Sequence, residues 1–590
     1  MQAGIDPFQL EIIRASFDTI AEDMALTLMR TAHSGIVRDS LDFSTSICDA
    51  HGQPLAQGVC TPMHLGSFYD AMRKIISMYD DRIYPNDIFI SNDPYEAAGQ
   101  HLPDIYIAKP VFHADRLIAW AVALAHHSDV GGIVAGSNAL GAYEIYQEGL
   151  RLPILKFIER GVRNQALWEV IAINVRTPEK VLGDLQAQIS SCLSGEREFL
   201  ALAERYGVDE VLRYADHLQD YTEALTRAEL RDIPAGVYTF TDHIDGLGEN
   251  PAPVIFNVTI EIGDGLAIVD WAGSSVQVKG GINPSFPFTK ASVYAAFRSI
   301  MKADVPNCHG FTRAVEVRAP LGSLMNPTFP APCGARGISG YRMIDCVFGA
   351  MAQAVPDRVT ADSSGGATIP TIAGYQAGRP YVFCETFMGT WGAAIDHDGQ
   401  NGVPHMGANQ SNVSIEMIEQ EYPIRIERYG LVPDTGGPGE HRGGLALMRE
   451  YCLLAGEAIL NVRSDKRAFP PHGLFGGRPG AASWNIVNPE RNRRVLPVLM
   501  TEVAELTAGD VFQHLMSSGG GYGDPLARDP AAVLEDVRDD KVSPEHAREA
   551  YGVVVTGDSR RATLDQAGTA ALRAQLRAGR DTVQVFSAVV

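Results

Sequence analysis

Two apolar, partly β-branched runs, Ile105 to Phe112 and Leu117 to Ala125, flank the polar tetrad His113-Ala114-Asp115-Arg116. Runs of this length around a polar turn predict a β-hairpin. With the turn centred between Ala114 and Asp115, antiparallel register sets Asp104 opposite Ala125 and Pro103 opposite His126. His101, Asp104 and His126 then gather at the hairpin's open end, where opposed side chains sit roughly 5 Å apart. Pro103 breaks any helix between His101 and Asp104 and holds the preceding chain extended. Imidazoles and a carboxylate at that separation suit zinc, manganese or ferrous iron, and no thiolate lies nearby to suggest a structural cysteine-type zinc site. The same spacing is also met by ordinary polar residues at strand ends.

The 590 residues exceed the ceiling of about 250 to 300 for a single core, so a multidomain chain is expected. No apolar run approaches the ~18 residues a membrane span requires, and the N-terminus shows no secretory pattern. Eight cysteines are scattered without a C-x-x-C pair, which fits reduced thiols and a cytoplasmic location. The net charge of −22 argues against a nucleic-acid surface, which needs a basic patch.

Asp6-Pro7 starts a helix whose stripe Leu10, Ile13, Phe17, Ile20, Met24, Leu28 keeps helical spacing through Arg30. Leu41 to Cys48 reads as a strand entering a hairpin turn at Asp49 to Gly52. Pro178 to Tyr206, continued by Asp209 to Arg227, reads as a helical layer. Short alternating runs from Gly236 to about Val317 mark a β-rich unit. Glycine and proline dominate from Pro320 to Pro525, predicting long irregular loops on a β framework, and Pro530 to Arg580 returns to short capped helices. The expected fold is mixed α/β (α+β): a metal-site region with a helical layer (1–230), a β-rich region with long loops (231–529) and a helical tail (530–590).

Neither G-x-x-x-x-G-K-[ST] nor G-x-G-x-x-G occurs, so the glycine clusters read as turns, and G-x-S-x-G is absent too. His127-Ser128-Asp129 cannot form a nucleophilic relay, because neighbours in a strand point to opposite faces. His127 and Asp129 either orient a ligand from behind or cap the strand end before Gly131-Gly132. His64, Glu148 and Arg151 either line a pocket for acid–base chemistry or form ordinary surface contacts. Arg176, in NVRTP, either binds a carboxylate or only marks a turn.

The segments DFSTSICDAHGQPLAQ (Asp42 to Gln57), NDPYEAAGQHLPD (Asn92 to Asp104), AHHSDVGG (Ala125 to Gly132), NVRTP (Asn174 to Pro178) and GGGYGDP (Gly519 to Pro525), in this order, resemble the hydantoinase B/oxoprolinase family. The resemblance implies a metal-bearing subunit that works with a hydantoinase A-type ATPase subunit. Such proteins include hydantoin, oxoproline and lactam hydrolases as well as acetone and acetophenone carboxylases. By resemblance the metal ligands fall on Asp42, His101, Asp104 and His126; Asp42 is the resemblance's own addition, since spacing does not link it to the hairpin. One departure is Gln100, where the family usually has a small or hydroxyl residue before HLPD. This implies an altered pocket beside His101 with the metal retained.

The resemblance further implies that the partner, using ATP and magnesium, phosphorylates the oxygen of a cyclic amide such as a hydantoin, a lactam or a 5-oxoproline-like ring. A divalent ion here, zinc first and manganese or iron as alternatives, would then activate water, with His127, Asp129 or Glu148 moving the proton. A hetero-oligomer with two or more copies of each subunit is implied. The competing expectations are a subunit of an acetone- or acetophenone-type ATP-dependent carboxylase and a structural subunit with a non-catalytic metal.

Overall fold

Helix α1 (Pro7–Thr31) begins where expected: the Asp6 carboxylate accepts the Phe8 N–H at 3.0 Å, and Pro7 follows it. Ile13, Phe17, Ile20, Met24 and Leu28 form its buried stripe. After the short α2 (Gly35–Arg38), β1 (Phe43–Asp49) and β2 (Pro54–Gln57) make the first hairpin, with Asp49 capping its turn through the N–H groups of His51 and Gln53. Helix α3 (Ser67–Tyr79) leads to β3 (Ile88–Ser91), β4 (Asp104–His113), β5 (Arg116–His126), β6 (Leu155–Glu159) and β7 (Val162–Arg163). These strands form one seven-stranded antiparallel sheet, ordered β2-β1-β5-β4-β3-β6-β7. The computed structural model describes residues 5–58, 61–64, 66–365 and 368–581.

Helices α4 (Gln165–Asn174), α5 (Pro178–Tyr206) and α6 (Val208–Arg231) supply the helical layer. Gly207, at φ 90°, separates α5 from α6 in a backbone conformation that other residues adopt at a cost. Phe17 of α1 stacks on Phe199 of α5 at 5.8 Å, and both helices pack on the sheet face of Ile105, Ile107, Ala121 and Ala123. Phe68 and Met72 of α3 pack on the other face, against Tyr106, Trp120 and Val122. Burial on both faces is why β4 and β5 are continuously apolar instead of alternating.

The β4–β5 register differs from the sequence expectation by one residue. Near the turn His113 faces Arg116 and Phe112 faces Leu117, but Val111 faces Ala119, so Ile118 is bulged out of the pairing. Beyond that bulge every pair is shifted: Asp104 lies opposite His126, not Ala125, and Ile105 opposite Ala125.

The β-rich middle holds β8 (Gly236–Ile244), β9 (Val254–Gly263), β10 (Leu266–Asp270) and β11 (Val315–Arg318) in one sheet. It also contains a helix the sequence did not suggest, α7 (Phe286–Ser299), and α8 (Gly337–Met351) occupies what read as loop. Every residue of α8 is buried, so it has no polar face to produce an amphipathic period. Its Gly340 is a packing residue, since a Cβ there would lie 2.5 Å from the Phe288 ring.

Next come β12 (Ile369–Gln376), β13 (Arg379–Cys384), α9 (Ile415–Glu421), β14 (Ile424–Val432), β15 (Ala446–Leu453), β16 (Glu457–Arg463), β17 (Trp484–Val487), β18 (Arg494–Leu496), β19 (Ala504–Thr507) and β20 (Val511–Leu515). They form sheets ordered β13-β12-β16-β19 and β14-β15-β20-β17-β18. The glycine-rich loops between them press backbone on backbone; a Cβ on Gly443 would fall 2.0 Å from the Gly519 carbonyl oxygen. The tail carries α10 (Pro530–Arg538), α11 (Pro544–Tyr551) and α12 (Gln566–Asp581), the first two capped by Asp529 and Ser543. Cys48, Cys192, Cys308, Cys333, Cys346, Cys384 and Cys452 are free and buried; Cys60 lies outside the described residues. Among the described residues no helix is long and apolar enough to cross a membrane.

Candidate metal centre

Three neighbouring strands of the large sheet bring Asp42, His126 and Asp104 into one row. Phe43 pairs with Ala125, so Asp42, just before β1, stands beside His126, whose N–H donates to the Asp42 carbonyl oxygen at 3.0 Å. On its other side His126 pairs with Asp104. A tight turn through Leu102 and Pro103, closed by the Asp104 N–H on the His101 carbonyl oxygen at 3.0 Å, returns His101 over the row. The His101 and His126 rings lie 5.0 Å apart, and His101 Nε2 is 3.1 Å from Asp104 Oδ1.

His101, Asp104 and His126 each offer a ligand atom, and these atoms lie within 4.8 Å of one another. His101 Nε2, Asp104 Oδ1 and both ring nitrogens of His126 are buried and lack a hydrogen-bond partner among the described residues. Buried polar atoms are ordinarily paired, so a cluster of orphaned atoms, all of ligand type, fits a divalent cation. His101 Nδ1 bonds to the Gly334 carbonyl oxygen at 2.8 Å. The carbonyl can only accept, so Nδ1 carries the proton and Nε2 presents its lone pair to the cluster. Burial first, then the Arg336 charge, pushes His101 down to about 4; burial and then His101 hold His126 well below its ordinary value. Both imidazoles are therefore neutral, as ligation requires.

Asp42 lies 6% exposed. It lines a cavity of about 30 Å³ with His64, His126, Arg336, Tyr341 and Gln410. Burial, then the nearby Asp104 charge, pushes its carboxyl up to about 7, against the pull of Arg336. The second oxygen of Asp104 ion-pairs with Arg336 and lies 4.0 Å from His64 Nε2. Burial raises the Asp104 carboxyl, but Arg336 and His101 outweigh it and hold the group well below the carboxylate range. Gln100 fixes Arg336: its Oε1 accepts from the guanidinium at 3.0 Å, while its Nε2 donates to Met63 O at 3.0 Å and Ser67 Oγ at 2.9 Å.

The structure places His127, Asp129 and Glu148 apart from that cluster. His127 lies on the α5 side of the sheet, its Nε2 3.0 Å from Gln188 Oε1. Asp129 takes the N–H groups of Gly131, Gly136 and Arg176, and the Arg176 guanidinium at 2.9 Å, which frames the loop after β5. Arg176 thus binds a carboxylate of its own chain. Glu148 accepts the N–H groups of Cys333 at 3.0 Å and Gly334 at 2.6 Å. Arg151 ion-pairs with Asp93. Arg336, Tyr341, Gln410 and Arg463, which also lines the cavity, escaped sequence reasoning. They sit in loops, a buried helix and a distant strand, with no spacing cue toward the hairpin.

A second group, Asp242, Asp362 and His472, also has ligand atoms within 4.8 Å. Its carboxylates are already matched: Arg342 reaches Asp242 and Asp465 at 2.6 Å each, and Lys466 ion-pairs with Asp362.

An antiparallel sheet wrapped by helices, with a histidine–aspartate cluster at one end of its central hairpin, defines the class, and the sequence assigns it. Residues 6–525 match the hydantoinase B/oxoprolinase model, and the chain belongs to that family. It is 32% identical to the B component of a putative D-/L-hydantoinase of Pseudomonas sp. (strain NS671), over 94% of this chain and 96% of that one. It is 33% identical to the beta chain of the caprolactamase of Pseudomonas jessenii, over 97% and 99%. The crystal structure of the ATP-dependent caprolactamase from that organism matches with a TM-score of 0.90 at 30% identity, covering 97% of this chain and 100% of that one. A nucleotide-free acetone carboxylase structure shares the fold, with a TM-score of 0.91 at 19% identity, covering 99% of this chain and 84% of that one.

Proposed function

We propose that this chain is the metal-bearing subunit of an ATP-dependent hydrolase that opens a cyclic amide, a hydantoin, lactam or 5-oxoproline-like ring. The observation that carries the reading is the set of orphaned ligand atoms on His101, Asp104 and His126, with the Asp42 carboxylate next in the row. A divalent ion held by these four residues would supply Lewis-acid activation of water and of the amide oxygen. Zinc suits the donor set best, and manganese or iron is compatible with it.

The chain's own residues set the conditions for that chemistry. His101 is locked in one tautomer by the Gly334 carbonyl, and Glu148 holds Gly334 in place through its N–H. Arg336 balances the carboxylates and gives the cavity wall a fixed positive charge, suited to the oxyanion that develops when an amide carbonyl is attacked. His64, neutral and 2.9 Å from Ser44 through Nδ1, is placed to relay a proton at the cavity wall. A ring amide is a poor electrophile, so its prior phosphorylation falls to an ATPase partner of the hydantoinase A type, in a hetero-oligomer with two or more copies of each subunit.

Metal analysis of the purified chain beside His126→Ala tests the site, and ATP-dependent ring opening with the co-expressed partner tests the reaction. Near-stoichiometric metal lost in the variant, together with hydrolysis of a lactam or hydantoin, supports the reading. Metal without hydrolysis, but with bicarbonate fixation onto a ketone, would replace it with the carboxylase alternative. A firmly bound metal with neither activity would leave the ion a structural role.

A further inference from the structure

Helices α3 and α7 face one another across a second cavity, of about 280 Å³, that the chemistry above does not use. From α3 come Tyr69, Asp70 and Arg73; from α7 come Lys290, Tyr294 and Arg298, four residues apart and so on one helix face. The segment His309–Ala314 closes the third side. Four cationic side chains, Arg73, Lys290, Arg298 and Arg313, line this space against one carboxylate, Asp70. That concentration stands out in a chain whose net charge is −22.

The cations are not all spent on internal pairing. Lys290 pairs with Asp70, and Arg313 with Asp220 at 3.1 Å and Glu223 at 3.5 Å. Arg73 has no ion-pair partner among the described residues and meets only the Tyr69 ring, 5.7 Å from its guanidinium. The Tyr69 and His309 rings, 3.8 Å apart and tilted by 37°, make an aromatic wall. The His309 ring is pushed down to about 4 by burial first and then by Arg313, Lys290 and Arg73, so it stays neutral inside a positive field.

We propose that this cavity binds a phosphate group, as inorganic phosphate or as the phosphoryl end of a small molecule. Cations converging from two helices and a third segment suit a tetrahedral dianion, which takes donors from several directions, whereas a carboxylate is satisfied by one planar guanidinium. An adjoining cavity of about 500 Å³ shares Asp70, Arg73 and Lys290 and gives room for an organic body. The site needs neither the metal nor the ring-opening reaction.

Isothermal titration of the full-length chain with sodium phosphate and with phenyl phosphate, at constant ionic strength, tests it. One-to-one binding is expected, weakened at least tenfold in Arg73→Ala and in Lys290→Ala, with metal content unchanged. Tighter binding of phenyl phosphate assigns the site to a phosphorylated molecule; equal or weaker binding assigns it to inorganic phosphate. No heat with either anion up to about 10 mM, ten times the ~1 mM that corresponds to −4.1 kcal/mol, wild-type affinity in both variants, or equal binding of acetate would overturn the proposal. Arg73 is exposed and outside the core, so loss of folding does not confuse its result.

Discussion

Glu148 reaches His101 through a single residue: it accepts the Gly334 N–H at 2.6 Å, and the Gly334 carbonyl oxygen accepts the Nδ1 N–H of His101 at 2.8 Å. The carboxylate that sequence reasoning cast as a proton carrier therefore sits where it positions His101, the candidate ligand. Burial pushes its carboxyl up to about 8, against the two N–H groups it accepts. Outer partners of this kind change metal affinity about 10- to 100-fold. Glu148→Gln is expected to weaken zinc binding about tenfold and Glu148→Ala more, measured by chelator competition. Unchanged affinity in Glu148→Ala would show that the Gly334 peptide holds its place unaided.

Arg336 and a metal ion compete for the same carboxylate, because the guanidinium pairs with Asp104 while its other oxygen faces the two imidazoles. Removing a buried positive charge beside a cation site favours the cation. Arg336→Met is expected to bind zinc about tenfold more tightly, equivalent to ~1.4 kcal/mol, yet to lose ring-opening activity. Weaker metal binding in the variant would mean that Arg336 holds Asp104 in its ligand geometry.

Lys466 is fully buried and pairs with Asp362 and, at 3.3 Å, with Asp345. Lys466→Met leaves those carboxylates with less compensation in a site closed to water. The expected loss is about 3 to 5 kcal/mol of unfolding free energy, measured by urea denaturation. A loss below about 1 kcal/mol would show that Arg342 and His472 already balance the cluster.

His514 is fully buried, its Nδ1 2.8 Å from Asn485 Oδ1, and burial, then Arg467, pushes it down to about 3. Below its ordinary value near 6.5 the unfolded chain takes up a proton that the folded chain refuses. Stability contributed by the neutral ring is therefore complete above pH 6.5 and declines as pH falls toward 3, by about 1.4 kcal/mol per unit. Urea unfolding of chelator-treated protein at pH 7, 6 and 5 should show the decline, and His514→Asn should flatten it. Parallel profiles for wild type and variant would remove His514 from the acid response.

Elements with a strong local period were legible in the sequence: α1 from its capped stripe, α5 from its long helical pattern, and the β4–β5 hairpin from its two apolar runs. Helix α8 was not, because a helix buried on all sides carries no contrast between faces. The hairpin register was missed by one because nothing in the composition around Ile118 marks a bulge. Asp42 came from resemblance alone, and the reason is topological: β1 is brought beside β5 by the order of the sheet, which local pattern does not encode. Arg336 was invisible for the same reason, since it meets Asp104 only in the folded chain. His127 and Asp129 adjoin the cluster in sequence, but alternation along the strand and the turn after it direct them elsewhere.

The row of Asp42, His126 and Asp104 spans three strands, and only β4 and β5 are neighbours in the chain. Asp42 comes first in the chain but joins the three donors of the hairpin and its preceding turn only when β1 pairs with β5. Ion capture that needs all four donors is then a late event, a check on completed assembly and not a template for it. Chains translated without metal would be expected to build the sheet first and to load afterwards, so the timing of metal uptake would report when the central strands have locked together.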